Sequence, residues 1–178
     1  MAQPLILEVA YAVFFILPAW VANAVPVVLG GGRHIDGGRK MADGRPVFGS
    51  HKTIRGFAAG IVAGTLTGAV LTVVQQFVVP LGFDPPFQFS VLLGFLISFG
   101  ALLGDLVHSF VKRRVSLREG APLPVADQAD FVIGALLLSL FVFTPSWTMV
   151  AIILVITVPV HLLTNFLAYV FGVKKTPW

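Results

Sequence analysis

The chain contains no cysteine, and only 11% of its 178 residues are charged. The absence of cysteine excludes disulfide bonds, thiolate metal ligands and a cysteine nucleophile. Charged residues make up about 25% of a soluble domain, so this sequence has too few to cover a soluble surface. It also lacks a long polar stretch in which a separate soluble domain could lie. We therefore expect one membrane domain, residues 1–178, with short loops.

Five long apolar runs are separated by short polar or proline-containing segments. About 20 helical residues cross the hydrocarbon layer of a bilayer. A helix satisfies its own backbone groups in lipid, and runs of this length exclude barrel strands. The sequence therefore predicts an all-α integral membrane protein with five transmembrane helices. The predicted spans are residues 5–29, 57–79, 87–111, 129–143 and 147–171.

The basic residues are confined to three segments of the chain. All 12 Lys and Arg lie in a first loop (residues 30–56), a second loop (residues 112–128) or at Lys174 and Lys175. With five spans, these segments share one side of the membrane. The N-terminus and the turns at 80–86 and 144–146 share the other side and contain no Lys or Arg. The positive-inside rule makes the charged side cytoplasmic, so we expect the N-terminus outside the cell membrane and the C-terminus in the cytoplasm.

The first loop is rich in glycine as well as basic. Glycines let backbone amides approach an anion closely. The loop ends where the second helix begins, and a helix N-terminus favours a phosphate. Lys52 and Arg55 add full charges there. The loop therefore either binds phosphate or serves only as a topogenic segment that contacts lipid headgroups. Nucleic acid is not an expected partner, because the basic residues flank apolar helices rather than cover a soluble face.

Three aspartates are candidates for a metal site. Asp105 lies inside the third apolar run, where a carboxylate costs about 2.5–3.5 kcal/mol, and it shares a helix face with Ser109 and Lys112. Asp127 and Asp130 are neighbours at the start of the fourth helix. Several carboxylates around one cavity suit Mg²⁺. The alternatives are an ion pair between Asp105 and Lys112, and favourable placement of Asp127 and Asp130 at the helix dipole.

The remaining polar and small residues within the spans predict helix packing. His161 and Asn165 share a face of the fifth helix and are expected to form interhelical hydrogen bonds, while the role of Asn23 stays open. Three glycines spaced four residues apart on the second helix predict close packing, either within one chain or in a homodimer: Gly60, Gly64 and Gly68.

Several motifs resemble the signature of the CDP-diacylglycerol synthase family. They are Ser109-Phe110-Val111-Lys112-Arg113, Arg118-Glu119, Leu123-Pro124 and Asp127-Gln128-Ala129-Asp130, preceded by Gly104-Asp105. Lys52-Thr53 with Gly56 and Gly60 is similar to the family's Lys-Thr-x-x-Gly stretch. The short chain, the five spans and the loop containing Asp36-Gly37-Gly38 and Asp43-Gly44-Arg45-Pro46 resemble the archaeal CDP-archaeol synthases more closely still. The resemblance runs from Asn23 to Asp130.

This resemblance implies Mg²⁺-dependent transfer of CMP from CTP to 2,3-bis-O-geranylgeranylglycerol 1-phosphate, a long-chain isoprenoid ether lipid phosphate. The implied catalytic residues are Asp105, Asp127 and Lys112, and the implied metal ligands are Asp105, Asp127 and Asp130. CTP would contact Asn23, Arg45, Gly49, Lys52, Thr53, Arg55, Gly56 and Arg113. The lipid phosphate would contact Ser109, Lys112 and Arg118. The alternatives are a CDP-diacylglycerol synthase acting on an ester lipid and a small anion or metal transporter.

The predicted topology can be tested by labelling introduced cysteines, since the chain has none of its own. Ser116→Cys lies in the second basic loop and Asp84→Cys lies in a turn without basic residues. An impermeant maleimide should label them from opposite sides of sealed vesicles. Labelling of both from the same side would contradict five spans.

Overall fold

The structure is a computed structural model that describes residues 4–117, 121, 123–174 and 176. Within those residues the chain forms five α-helices and no strand longer than an isolated bridge. The helices are α1 (Leu5–Leu29), α2 (Ile54–Val78), α3 (Val91–Arg114), α4 (Ala126–Ser139) and α5 (Trp147–Val170). Four of them, α1, α2 with the turn that extends it to Leu81, α3 and α5, are long and apolar enough to cross a membrane. The predicted all-α, multi-pass membrane class is confirmed.

Three helices begin at residues other than those expected: α4 begins at Ala126, three residues early, and side-chain hydrogen bonds account for the starts of α2 and α3. α2 begins three residues early because Thr53 caps it by accepting a hydrogen bond from the Gly56 amide. α3 begins four residues late, at Val91. The buried Gln75 side chain holds the preceding segment by donating to the Phe87 carbonyl and accepting from the Phe89 amide, both at 2.7 Å. Those backbone groups are therefore not used in a helix.

Helix α4 is much shorter than the other four helices. Its 14 residues span about 21 Å, against roughly 30 Å of hydrocarbon. A short turn joins α4 to α5, so the two helices are level at that end. The 24 residues of α5 then extend about 15 Å beyond the start of α4. Consistent with this, Gln128 near the start of α4 contacts His161 in the middle of α5 at 3.5 Å.

Glycines on α2 pack inside the chain. Gly60, Gly64 and Gly68 are all buried. A Cβ atom added to Gly64 would lie 2.8 Å from the Pro18 carbonyl oxygen of α1, and one added to Gly68 would lie 2.5 Å from the Gly94 Cα atom of α3. Of the two predicted roles for this stripe, the structure shows packing within one chain. The face cannot also form a dimer contact, because α1 and α3 cover it.

A second glycine contact positions the polar end of the bundle. Gly100 and Gly104 of α3 touch the backbone of α4 at Gly134 and Asp130, so closely that a Cβ on Gly104 would overlap the Asp130 carbonyl oxygen. The two helices therefore meet backbone to backbone. As a result Asp105, the residue after Gly104, is level with the first turns of α4.

Aromatic side chains close the opposite end of the bundle. The ring centroid of Phe87 lies 5.1 Å from that of Phe15 and 5.3 Å from that of Phe143. Phe14 packs edge-on against Phe89 with centroids 5.5 Å apart. Packed aromatic rings therefore separate this end of the bundle from the charged groups at the other end.

Candidate active site

The first basic loop is folded around Asp36. The carboxylate accepts hydrogen bonds from the amides of Gly38 and Phe48, at 2.9 and 3.1 Å. Burial raises the pKa of Asp36, but the amides of Phe48, Gly38 and Gly49 outweigh it and hold the pKa below its usual range. The segment therefore has a defined structure.

Arginines fasten this loop to the end of α3. The Arg45 guanidinium donates to the carbonyl of Arg114 at 3.0 Å, and so binds the free carbonyl end of the helix. In return Arg114 forms a bidentate ion pair with Asp43, at 3.0 and 2.9 Å, and also donates to the Pro46 carbonyl. The Arg45 amide, followed by the Arg114 charge, lowers the pKa of Asp43 below its usual range.

Backbone amides at the start of α2 are already hydrogen-bonded to other groups of the protein. Thr53 Oγ1 accepts from the amides of Gly31 and Gly56, both at 3.2 Å, while the Ile54 amide donates to the Arg33 carbonyl at 3.0 Å. Arg55 donates to the carbonyls of Leu29 and Gly30, at the end of α1. The structure thus does not bring Thr53, Arg55 and Gly56, or the Arg45 guanidinium, to an open phosphate site. Their predicted contacts with CTP stay predictions and would require these bonds to open.

Lys52, by contrast, reaches the interior and forms an ion pair with Asp105. Lys112 Nζ pairs with Asp127, at 2.8 and 3.1 Å from the two carboxylate oxygens, and donates to the Ala121 carbonyl at 2.6 Å. The alternative pairing of Asp105 with Lys112 is therefore not the one that forms. Each lysine instead joins two segments of the chain, the loop to α3 and α3 to α4.

A histidine completes the candidate metal centre. Nε2 of His108 lies 2.7 Å from Asp127 Oδ1 and 3.9 Å from Asp130 Oδ2. One ligand atom from each of these three residues lies within 4.8 Å of the others. Sequence reasoning proposed Asp105 in place of His108. The sequence signal for His108 is its spacing, because it follows Asp105 by three residues and precedes Lys112 by four, and so lies on the same face of α3.

These groups lie well below the rim of the bundle. Asp105 precedes the end of α3 by nine residues, or about 14 Å. The side chains of Lys52 and Asp105 are each 24% exposed, and that of Asp130 is 9% exposed. We call the site formed by Lys52, Asp105, His108, Lys112, Asp127 and Asp130 the recess. Opposite charges in the recess attract one another more strongly than they would in water, because the surroundings are partly protein and lipid.

Polar residues of α5 form a further wall. The Asn165 amide nitrogen lies 3.1 Å from Nδ1 of His161, which lies 3.5 Å from the Gln128 amide nitrogen on α4. The contact with Gln128 agrees with the predicted interhelical role of His161, whereas Asn165 contacts His161 on the same helix. Lys174, beyond the end of α5, donates to Asn165 Oδ1 at 2.9 Å.

The other predicted ligands are distributed around the recess. Asn23 and Ser109 are half-buried, on α1 and α3 respectively, and Arg113 is buried. Gly49 is buried with φ of +106°, in a turn where its carbonyl accepts from the Lys52 amide at 3.3 Å. It therefore helps to place Lys52. Arg118 lies outside the described residues.

An apolar groove of about 400 Å³ runs between α3 and α4. Gly100, Gly104 and Gly134, where α3 and α4 touch, line the groove. Exposed side chains of Val107, Ile133 and Leu137 form its walls. At one end it reaches His108 and Asp130. The groove thus connects the lipid-facing surface with the candidate metal centre.

Comparison with known proteins gives a consistent result. A family model described as CarS-like: CDP-archaeol synthase matches residues 4–178. A CDP-archaeol synthase of Thermococcus gammatolerans is 48% identical over 168 residues, covering 94% of this chain and 95% of that protein. One of Methanocaldococcus jannaschii is 42% identical over 169 residues, covering 94% and 96%. A solved structure of an intramembrane enzyme for archaeal membrane lipids biosynthesis is 35% identical, with a TM-score of 0.75, and the match covers 86% of this chain and 92% of that one.

The docking of the loop on α3 can be tested with Arg45→Met. The substitution removes a charged hydrogen bond, which contributes about 1.5–3 kcal/mol. Amide hydrogen exchange in residues 39–49 should therefore become about tenfold faster or more. Arg39→Met, which alters an exposed arginine of the same loop, is the matched control. Equal exchange rates in the two variants would rule out the docking role of Arg45.

Proposed function

We propose that this chain is a membrane-embedded cytidylyltransferase of archaeal ether-lipid synthesis, because it belongs to the CarS-like CDP-archaeol synthase family. It transfers CMP from CTP to 2,3-bis-O-geranylgeranylglycerol 1-phosphate, giving CDP-archaeol and pyrophosphate. The observation that carries the proposal is the recess, where paired lysines and aspartates meet the end of a lipid-facing groove. We place the opening of the recess on the cytoplasmic side, where CTP is available, with the N-terminus outside.

The reaction requires two anions to be brought together. An oxygen of the lipid phosphate attacks the α-phosphorus of CTP, the bond from that phosphorus to the bridging oxygen breaks, and pyrophosphate leaves with the electron pair. A phosphate monoester is largely a dianion at neutral pH, since its second pKa is about 6. No protein group therefore has to remove a proton from the nucleophile. The protein's task is to position both phosphates and to neutralise them.

Lys52 and Lys112 are suited to that task. Each ammonium is held in the recess by a carboxylate, Asp105 or Asp127. A lysine has a flexible stem and three N–H donors that can turn to a new anion. In our proposal these lysines bind the triphosphate and the lipid phosphate. The arginines, which bind helix-terminal carbonyls, hold the loop in place instead.

The donor set at the recess fits a divalent cation such as Mg²⁺. Carboxylate oxygens of Asp127 and Asp130 are the ligands that hard cations prefer, and the imidazole of His108 is an additional donor that suits several transition metals. Asp105, the other proposed ligand, lies beside them but has Lys52 as its partner in this structure. When bound, the cation would supply positive charge to the phosphates of CTP.

The groove between α3 and α4 is our candidate for an isoprenoid chain of the lipid. Its apolar walls face the bilayer, so a lipid could enter sideways without crossing water. A chain lying there would place the attached phosphate beside His108 and Asp130. An ester lipid would satisfy the same geometry, and comparison of ether and ester phosphates as substrates separates the two activities. A transporter is disfavoured because the charged groups lie at one end of the bundle, whereas aromatic rings pack together at the other end.

The function can be tested by transfer of radiolabelled CMP from CTP to the ether lipid phosphate. The purified protein should require a divalent cation. Asp105→Asn and Asp127→Asn nearly preserve side-chain size but remove charge. Each should lower turnover by about 10²-fold or more, which is roughly 2.7 kcal/mol of transition-state stabilisation. Asp84→Asn, at the opposite end, is the control. Near-normal turnover in the Asp105 and Asp127 variants would remove the basis for this site.

The lipid groove has its own test. Val107→Trp should fill part of the groove and raise the KM for the geranylgeranyl lipid about tenfold, while leaving the KM for CTP unchanged. Val62→Trp adds the same bulk to the exposed face of α2 and should have little effect. A water-soluble, short-chain phosphate should be a poor substrate for every variant. If the unaltered enzyme used the short-chain phosphate as efficiently as the lipid, no groove would be needed.

A further inference from the structure

The chain reverses direction sharply where α5 ends. The Val173 amide donates to the Ala168 carbonyl at 2.8 Å, and the Gly172 amide donates to the Tyr169 carbonyl at 3.0 Å. Gly172 has φ of +72°. This is the Schellman arrangement, in which a left-handed glycine ends a helix and turns the following residues back along it. Lys174, two residues after Gly172, consequently points toward the preceding turns of α5 rather than away from the protein.

The Lys174 side chain reaches nine residues back along the chain. Its ammonium nitrogen lies 2.9 Å from Asn165 Oδ1. Asn165 contacts His161, which in turn contacts Gln128, the residue after Asp127. Lys174 is therefore connected through polar side chains to the α4 wall of the recess.

Burial lowers the pKa of Lys174 below its usual range. The carboxylate of Asp127 acts in the opposite direction, and the charge of Lys52 adds to the lowering. A partly desolvated ammonium group is stabilised by a nearby anion, and the proposed reaction brings two anions to this place.

We propose that Lys174 is a third lysine of the active site, which binds a phosphate group of CTP or of the lipid substrate. The inference rests on the proposed function. Lys52 approaches the recess from the first loop and Lys112 from α3, whereas Lys174 approaches from α5. The substrate phosphates would therefore be held between cations on opposite walls. The hydrogen bond that Lys174 donates to Asn165 fixes the direction of its stem.

The test uses the absence of cysteine from the chain. Lys174→Cys removes the charge, and alkylation of this single thiol with bromoethylamine restores a lysine analogue in the folded protein. Alkylation with iodoacetamide adds a neutral group of similar size. Lys174→Met and Lys174→Arg complement this pair, and Lys40→Met, at an exposed position in the first loop, is the control.

We expect Lys174→Met and unmodified Lys174→Cys to bind one phosphate substrate about tenfold or more weakly, because a charge-assisted contact is lost. Aminoethylation and Lys174→Arg should restore binding, whereas the neutral adduct should not. Separate titrations with CTP and with the lipid phosphate identify which substrate Lys174 contacts. A role limited to helix ending would change the thermal unfolding midpoint without this dependence on charge.

Two results would overturn the inference, and they differ from failure of the proposed function. The first is a folded Lys174→Met protein with normal affinity for both substrates. The second is equal recovery with the charged and the neutral adducts. If the unaltered protein bound neither CTP nor the lipid phosphate, the proposed function itself would fall, and this inference with it.

Discussion

An ion placed deep in a membrane protein needs an ion of opposite charge beside it, and this requirement organises the polar half of the molecule. Asp105 lies about 14 Å below the end of α3 and is paired with Lys52; Asp127 is paired with Lys112. The first loop must fold back over the bundle to bring Lys52 to Asp105. Helix α4 must begin below the rim to bring Asp127 to Lys112. Both arrangements are held by backbone contacts, at Gly104 on α3 and at Gly30 and Gly56 where α1 meets α2.

The two kinds of basic residue are used differently around the recess. The guanidinium groups of Arg45 and Arg55 bind the carbonyls at the ends of α3 and α1. A planar fork with fixed donors suits such stationary partners. The ammonium groups of Lys52 and Lys112 are paired with single carboxylates. The arginines thus maintain the architecture, and in the proposed function the lysines provide the charge that binds the substrates.

Much of this organisation could be predicted from the sequence, because a membrane imposes simple rules. The apolar runs predicted the five helices, and the location of Lys and Arg indicated which end of the bundle is polar. The carboxylates at Asp127 and Asp130 stood out because they lie three residues apart at a helix start. The Thr53 cap and the arginine contacts could not be predicted, since glycine-rich loops fold through hydrogen bonds between distant residues. The same applies to the pairing of Lys52 with Asp105, which depends on how the loop closes over α3.

The short helix α4 also affects the bilayer around the protein. Its lipid-facing side, which includes Ile133 and Leu137, is about 9 Å shorter than an average hydrocarbon layer. Lipids beside a short hydrophobic surface thin locally, at a modest energetic cost per ångström. A bilayer thinned in this way would lower the headgroups next to α4. In the proposed reaction, this hydrophobic mismatch would bring the phosphate of a lipid substrate closer to His108 and Asp130.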